Sequence, residues 1–463
     1  MFIGRHSDLQ FLNSEYHKEA FSFIPIYGRR RVGKTTLIRE FMKGKAAIYF
    51  QAFEERTELN LERLSAAVNL QIFGPQGQSL PPYQDFSAIL ESLTQYLKQT
   101  DEKIVFVIDE FPYLARVLPE ASSLLQYYID HYWQQAANLQ LILCGSSMSF
   151  MKKQVLGYQA PLYGRKTGQI QLKSFDFWET QDYFPDTDAE TVFTFFALSG
   201  GIPQYLAQFD PKLSVSENIA STFFNKNNLL FEEPQNLLKQ ELEDPTNYNS
   251  ILRAIAEGAS RMNEIATKTQ LTTGNLSKFL ENLIDLDIVE KKYPAGETRS
   301  KKSIYRIKDT MFRFWFRFVA SNLSQIEIEM VKPLIDQVAL QVNDFLGPIF
   351  EDLCIHYLYL QMNESKVPLF GNLGSWWGTD PIKKQQVEID ILGKEGDDIL
   401  LGECKWRNQP TNRATIQKFL EKQQLFRYHS SQRYFFSKSD YTPDARALAE
   451  ENRVTLIRFE DLF

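Results

Sequence analysis

The chain has 463 residues, 43% hydrophobic and 24% charged, with a formal net charge of −7, an ordinary balance for a globular protein with room for about three domains. No apolar run reaches about 18 residues, since the aromatic stretch 311–319 is broken by Arg313 and Arg317, and this excludes a membrane span. The acidic balance gives no global nucleic-acid signal, so any such signal must be local. Cys144, Cys354 and Cys404 are dispersed without metal-ligand spacing and read as reduced core residues. The N-terminus enters a folded pattern at once, without the charged and apolar regions of a signal peptide, which predicts a cytoplasmic location.

Residues 23–27 read as a short buried strand, and residues 36–42 continue as an amphipathic helix. Between them Gly28, Arg29, Arg30, Arg31, Val32, Gly33, Lys34 and Thr35, with Thr36 following, fit the phosphate-loop pattern G-x-x-x-x-G-K-[ST]. Backbone N–H groups of such a loop and the positive end of its helix form a concave anion site, which the two glycines keep free of Cβ atoms. Lys34 would reach the β/γ-phosphates and the Thr35 hydroxyl would bind Mg2+.

A second strand is expected at 46–50. A third, 103–108, is an apolar run that ends in Asp109 and Glu110, as a central parallel strand does at its ligand-bearing carboxyl edge. Asp109 would hold Mg2+ through water, and Glu110 would orient or deprotonate the attacking water. A fourth strand, 139–145, ends in Ser146, which either contacts the γ-phosphate or its water or caps the next helix. Arg165, at the end of a Pro-Leu-Tyr-Gly-Arg turn, either reaches a nucleotide, its own or a neighbouring subunit's, or pairs on the surface.

Phe2-Ile-Gly-Arg5, the phosphate loop, Ile108-Asp-Glu-Phe-Pro-Tyr113, Cys144-Gly-Ser-Ser147, Leu162-Tyr-Gly-Arg165 and Gly200-Gly-Ile-Pro-Gln-Tyr205 together resemble the archaeal-type ATPase family of AAA+/STAND-related P-loop proteins. The resemblance covers about the first half of the chain. It implies an α/β ASCE-type core, a preference for ATP, an adenine pocket near Phe2 to Arg5, and a helical lid from about Asp182. His6 departs from the pattern, where an acidic residue is expected after the Gly-Arg pair.

Residues 231–245 are acidic and carry two prolines, which suits a connector. Two short helices follow at 251–255 and 262–266. A third, capped by Thr273, has apolar positions Leu276, Phe279, Leu280, Leu283 and Ile284. Strands at 288–293 and 303–307 close the unit, and three helices followed by a hairpin read as a winged helix-turn-helix. Lys291, Lys292, Arg299, Lys301, Lys302, Arg306 and Lys308 crowd the hairpin, opposed by Glu290 and Glu297. With Lys278 on the third helix, they point to double-stranded DNA; protein docking is the competing reading.

After the aromatic stretch, Pro348 is expected to start a helix bearing Glu351 at the border of its apolar stripe. Strands 386–392 and 399–406 follow. Alternation puts Glu388 and Asp390 on one face, and Glu403 and Lys405 on one face. Antiparallel pairing can bring Asp390 and Glu403 together in an apolar setting, where two carboxylates need a cation such as Mg2+. This arrangement resembles the PD-(D/E)xK nuclease fold. The resemblance implies Asp390, Glu403 and Glu351 as metal ligands, and Lys405 as the residue that positions or activates water, with Gln417 assisting. Ile389 stands where that pattern expects proline, and Glu388 could share the metal role. The expected organisation is a P-loop ATPase core over 1–180, a helical lid and acidic connector over 181–245, a winged helix-turn-helix over 246–310, an aromatic linker over 311–344 and an α/β restriction-endonuclease-like domain over 345–463. Expected ligands and partners are ATP, Mg2+ and double-stranded DNA, with a homo-oligomer wherever Arg165 serves another subunit's nucleotide. The alternative is an ATP-controlled binding or signalling switch whose last domain is catalytically inactive.

Overall fold

A computed structural model of the chain describes residues 2–297, 300, 302–381, 383–426 and 428–463. The chain divides into two compact units, one formed by residues 1–175 with 202–205 and the other by residues 176–201 with 206–463. The first boundary falls ahead of the expected 180/181, because Asp176 already caps the helix Phe177–Tyr183 with a reciprocal Asp176–Glu179 capping box. Ile202–Tyr205 returns to the first unit, so the expected lid region 181–245 is split rather than continuous.

The first unit is built on a parallel sheet in the order β2-β3-β4-β1-β5, where β1 is Ser22–Tyr27, β2 Ala47–Gln51, β3 Ile104–Asp109, β4 Leu139–Gly145 and β5 Ile170–Gln171. Every residue of β1, β3 and β4 is buried, as expected of apolar strands covered on both faces. In this order β4 lies between β1 and β3. Parallel register sets Tyr27 beside Gly145, Ile108 beside Leu143 and Gln51 beside Asp109. The carboxyl ends of four strands therefore reach one edge together.

In the second unit, helices Thr246–Ala256, Met262–Thr269 and Thr273–Asp285 precede an antiparallel hairpin of β6, Val289–Lys292, and β7, Ile304–Ile307. The third helix is capped by Thr272, not Thr273, with the Thr272 side chain accepting from the Asn275 N–H at 3.4 Å. Beyond the hairpin, a mixed sheet runs in the order β12-β11-β10-β9-β8. Its strands are β8, Gly374–Thr379, β9, Gln386–Glu395, β10, Asp398–Lys405, β11, Ser431–Ser437, and β12, Thr455–Arg458. β8, β9 and β10 pair antiparallel, whereas β10, β11 and β12 pair parallel. The helices Arg413–Lys422 and Pro443–Glu451 make the two parallel crossovers.

Two expected connectors are regular structure instead, and one expected helix start lies inside a helix. Residues 231–241 belong to the helix Leu229–Glu241, which contains Pro234 and buries Leu230, Leu237 and Leu238. Met311, Phe312, Phe314, Trp315, Phe316 and Phe318 are buried core, and the Trp315 indole donates to the Phe231 carbonyl at 2.7 Å. Pro348 lies inside the 33-residue helix Val331–Asn363 rather than at its start. Proline removes one helical N–H and crowds the preceding turn, but Phe345 and Leu346 before it and Ile349 and Phe350 after it are all buried, and that packing carries the helix through. Among the described residues, no helix is long and apolar enough to cross a membrane.

Candidate nucleotide site and a second carboxylate site

At the carboxyl edge of the first sheet, the chain leaves β1 through Gly28, where an added Cβ would lie 2.3 Å from the Leu172 carbonyl oxygen, so the loop can close only on glycine. Gly33 has φ +94, a conformation that favours glycine, and it opens the helix Lys34–Met42 with no side-chain cap. The first N–H groups of that helix are thus available to an anion. Val32 is buried, Arg29, Arg30 and Arg31 are half-buried, and Thr36 is exposed. The Lys34 ammonium is buried and donates to the Gly28 and Arg29 carbonyls at 2.9 and 2.8 Å. Burial pushes its pKa down, and the nearby Glu110 and Asp109 carboxylates act against that.

Thr35 Oγ1 donates to Asp109 Oδ2 at 2.8 Å, and the Tyr49 hydroxyl donates to the same oxygen at 2.8 Å. A threonine hydroxyl touching a buried carboxylate beside a phosphate loop is the hard-oxygen donor set that Mg2+ takes, so these residues fit the ion. Glu110 has φ 51, and its Oε2 accepts from the Ser146 N–H at 3.1 Å and from Ser146 Oγ at 2.8 Å. Ser146 is therefore engaged with Glu110. The cap position of the next short helix falls on Ser147 rather than on Ser146. Arg30 donates to the Tyr113 hydroxyl at 3.0 Å. Arg5 donates to the Val32 carbonyl at 3.2 Å and lies 4.8 Å over the Phe175 ring, which ties the N-terminal segment to the loop. Arg165 makes a two-bonded pair with Asp130, both bonds at 2.7 Å, and also donates to the Pro161 and Tyr163 carbonyls. Tyr49 was not singled out in the sequence. Its signal was its place on β2, two residues before Gln51, which pairs with Asp109.

In the second unit, Asp390 on β9 and Glu403 on β10 stand one step beyond the paired residues Ile391 and Gly402. Both are buried, at 8% and 5% exposure. Asp390 Oδ2 accepts the Cys404 N–H at 2.8 Å. Lys405 Nζ bridges the two acids, 2.7 Å from Glu403 Oε1 and 3.5 Å from Asp390 Oδ2. Lys422, at the end of the helix Arg413–Lys422, reaches both Glu403 oxygens at 2.8 and 2.7 Å. Gln417, the expected assistant on that helix, is exposed. Sequence reasoning missed Lys422, because its contact with Glu403 joins segments 19 residues apart.

Burial, followed by the charge of Glu403, raises the Asp390 carboxyl to about 6. Burial, followed by Asp390, Asp352 and Glu388, raises the Glu351 carboxyl to about 8. Burial alone would lower Lys405, but Asp390 and Glu403 hold it above its ordinary value. Among the described residues, no group of three or more His, Cys, Asp or Glu side chains is assembled closely enough to hold a metal ion, so Glu351 does not complete a three-carboxylate set with Asp390 and Glu403. Mg2+ takes as few as one or two carboxylates with substrate oxygens. Asp390 and Glu403, already joined through a cation, fit that smaller requirement.

The hairpin is more neutralised than its sequence implies. Lys292 pairs with Asp352 at 3.5 Å, Arg306 pairs with Glu290 and with both Asp352 oxygens at 2.9 and 2.7 Å, and Lys308 pairs with Asp287. Lys302 is 3.8 Å from Glu297, and Lys291 lies over the Tyr293 and Tyr305 rings at 5.5 and 5.6 Å. Counting Glu290 and Glu297 as the opposing acids overlooked Asp287 and Asp352, because Asp352 comes from a helix 46 residues away from Arg306. Lys278 is exposed. Arg299 and Lys301 lie outside the described residues. The hairpin loop also meets the sheet edge: the Ala295 N–H donates to the Ser375 carbonyl at 2.9 Å, and the Trp377 indole donates to the Lys302 carbonyl at 3.0 Å.

Residues 2–209 match the model of an ATPase domain found predominantly in Archaea. Residues 315–419 match a model described as archaeal and bacterial proteins of unknown function. An uncharacterised protein of Methanocaldococcus jannaschii is 32% identical over 410 residues, covering 88% of each chain. An uncharacterised ATP-binding protein of the same organism is 44% identical over 45 residues, 10% of this chain and 76% of its own. Among solved structures, the Walker-type ATPase of Pyrococcus abyssi superposes with a TM-score of 0.52 at 21% identity, over 68% of this chain and 96% of its own, a likeness of fold.

Proposed function

Because the chain belongs to the same family as that Methanocaldococcus jannaschii protein and carries an ATPase domain over residues 2–209, we propose that it hydrolyses ATP with Mg2+ and carries, in its second unit, a metal-dependent phosphodiesterase site that acts on double-stranded DNA. The observation that carries the ATP half is the convergence of Lys34, Thr35, Asp109, Glu110 and Ser146 at one sheet edge. The loop N–H groups would bind the phosphates, and Lys34 would exchange its carbonyl partners for β/γ-phosphate oxygens. Thr35 and Asp109 would hold Mg2+, which neutralises phosphate charge when bound. Glu110, held by Ser146, would orient the attacking water and take its proton.

The DNA half of the proposal rests on the Asp390, Glu403 and Lys405 group and on the three-helix and hairpin unit, which we read as a winged helix. Asp390 and Glu403 would hold Mg2+, while Lys405 would offset charge developing on a phosphodiester. Two observations favour the second reading, an ATP-controlled binding switch: Glu403 already has two lysine partners, and the hairpin cations are largely paired. Single-residue kinetics test the ATP half. Lys34→Ala should abolish ATP binding or turnover, whereas Glu110→Gln should keep ATP binding and lose turnover by about 10²-fold or more. Equal turnover by wild type and Glu110→Gln removes Glu110 from the mechanism.

A further inference from the structure

Glu403 is an anion with a cation on each of its oxygens. Lys405 Nζ lies 2.7 Å from Oε1, while Lys422 Nζ lies 2.8 Å from Oε1 and 2.7 Å from Oε2. The two lysines are held differently. Lys405 also reaches Asp390 Oδ2 at 3.5 Å and the Cys404 carbonyl at 3.1 Å, so strand geometry fixes it between the acids. Lys422 projects from the last residue of its helix and its contacts within this group are the two to Glu403. Its side chain is 26% exposed, against 6% for Glu403, so a flexible four-carbon stem carries the charge from solvent into the site.

A divalent cation bound between Asp390 and Glu403 needs a Glu403 oxygen, and both are covered by Lys422. The same cation brings two positive charges against the Lys422 ammonium at contact distance, where repulsion in a partly buried setting is strong. Lys405 also contacts Glu403 Oε1, but Asp390 and the Cys404 carbonyl anchor it as well, so Lys422 is the cation with less to hold it in the group. We infer that Lys422 is an exchangeable internal counter-ion of the Asp390–Glu403 site, a positioning residue that keeps Glu403 paired without metal and must leave it when a divalent cation enters. This inference rests on the metal-site reading above. It gives the site a built-in threshold for metal that the acid–lysine motif on the strands does not supply.

The test is Mn2+ titration of the full chain, free of nucleotide, followed by calorimetry, with the Asp390→Asn variant identifying the part of the signal that belongs to this site. Lys422→Met should bind Mn2+ at this site about tenfold more tightly than wild type, the order expected from removing one competing unit charge. Lys422→Arg should bind no more tightly than wild type, because a guanidinium fork holds both carboxylate oxygens at once. It also supplies the comparison if Lys422→Met fails to fold. Equal or weaker Mn2+ binding by folded Lys422→Met, or tighter binding by Lys422→Arg, overturns the inference while leaving the metal site in place. If neither wild type nor Lys422→Met shows any Mn2+ binding that Asp390→Asn removes, the metal-site reading itself falls, and the inference falls with it.

Discussion

At the scale of single residues, the two sites are built alike, each with a buried carboxylate held by donors that a ligand must displace or join. Asp109 accepts Thr35, Tyr49 and the Glu110 N–H, and Glu403 accepts two lysines. Arg165 illustrates the opposite case, a charged residue whose partner within the chain is fixed. Its two bonds to Asp130 hold that carboxyl below its ordinary value, the hydrogen bond from Arg165 being the leading cause. A depressed carboxyl contributes stability that is present above its unfolded value of about 4 and is lost as pH falls through the folded value. Both side chains are partly exposed, at 23% and 30%, so the contribution is of order 1 kcal/mol or less. Arg165→Ala should therefore lower the melting temperature slightly at neutral pH and have a smaller effect in the acid limb below about pH 4. A loss of ATPase activity far larger than this stability change would instead place Arg165 at a nucleotide.

At the scale of elements, the sequence was most readable where burial is continuous. The run 139–145 coincides with β4, and β1, β2 and β3 lie within a residue of their expected bounds; β1, β3 and β4 are buried throughout, whereas β2 is buried at alternate residues. The hairpin strands β6 and β7, and β9 and β10, fall on the expected runs, with β9 continuing three residues further to Glu395. Prolines misled in both places where tertiary packing overrides them, Pro234 and Pro348. β8 left no periodic signal: four of its six residues are half-buried in succession, the mark of an edge strand meeting a loop. The carboxylates and lysines of the two sites could be named from motif spacing, but Tyr49, Lys422 and Asp352 could not, since their roles depend on pairings between distant segments. The hairpin carries the same lesson into a prediction. With Lys292, Arg306 and Lys308 paired to acids, the described cations best placed for phosphate are Lys278 on the third helix and Lys302, whose 3.8 Å contact with Glu297 is longer than those pairs. Neutralising Lys278 and Lys302 together should weaken double-stranded DNA binding for all sequences alike and reduce the log–log salt slope by about 0.9 per lost contact. An unchanged slope assigns the hairpin to protein docking, which its bonds to Ser375 and Trp377 already exemplify.

At the scale of the whole molecule, one chain is proposed to hold two sites with the same ion and different bonds, and separate variants can tell them apart. Asp390→Asn removes one of the two carboxylates proposed to hold metal in the second unit and alters no residue of the phosphate loop. It should abolish Mg2+-dependent cleavage of double-stranded DNA while leaving ATP turnover within about twofold of wild type, since Asp390 supplies no group to the proposed ATP chemistry. Mn2+ should substitute for Mg2+, because it accepts the same oxygen donors, whereas Ca2+ should support binding with little cleavage, since its looser coordination positions a water poorly. Coupling is read from the reciprocal variant. If ATP controls the second site, Lys34→Ala should lose ATP-dependent cleavage although Asp390, Glu403 and Lys405 are unaltered; if the sites are independent, cleavage by Lys34→Ala equals wild type. The outcome that replaces the nuclease reading is also definite. Wild type and Asp390→Asn that bind DNA equally, respond to ATP equally and leave the DNA uncut under Mg2+ and Mn2+ would make the second unit the binding arm of an ATP-controlled switch, with Lys405 and Lys422 serving as the permanent counter-ions of Glu403.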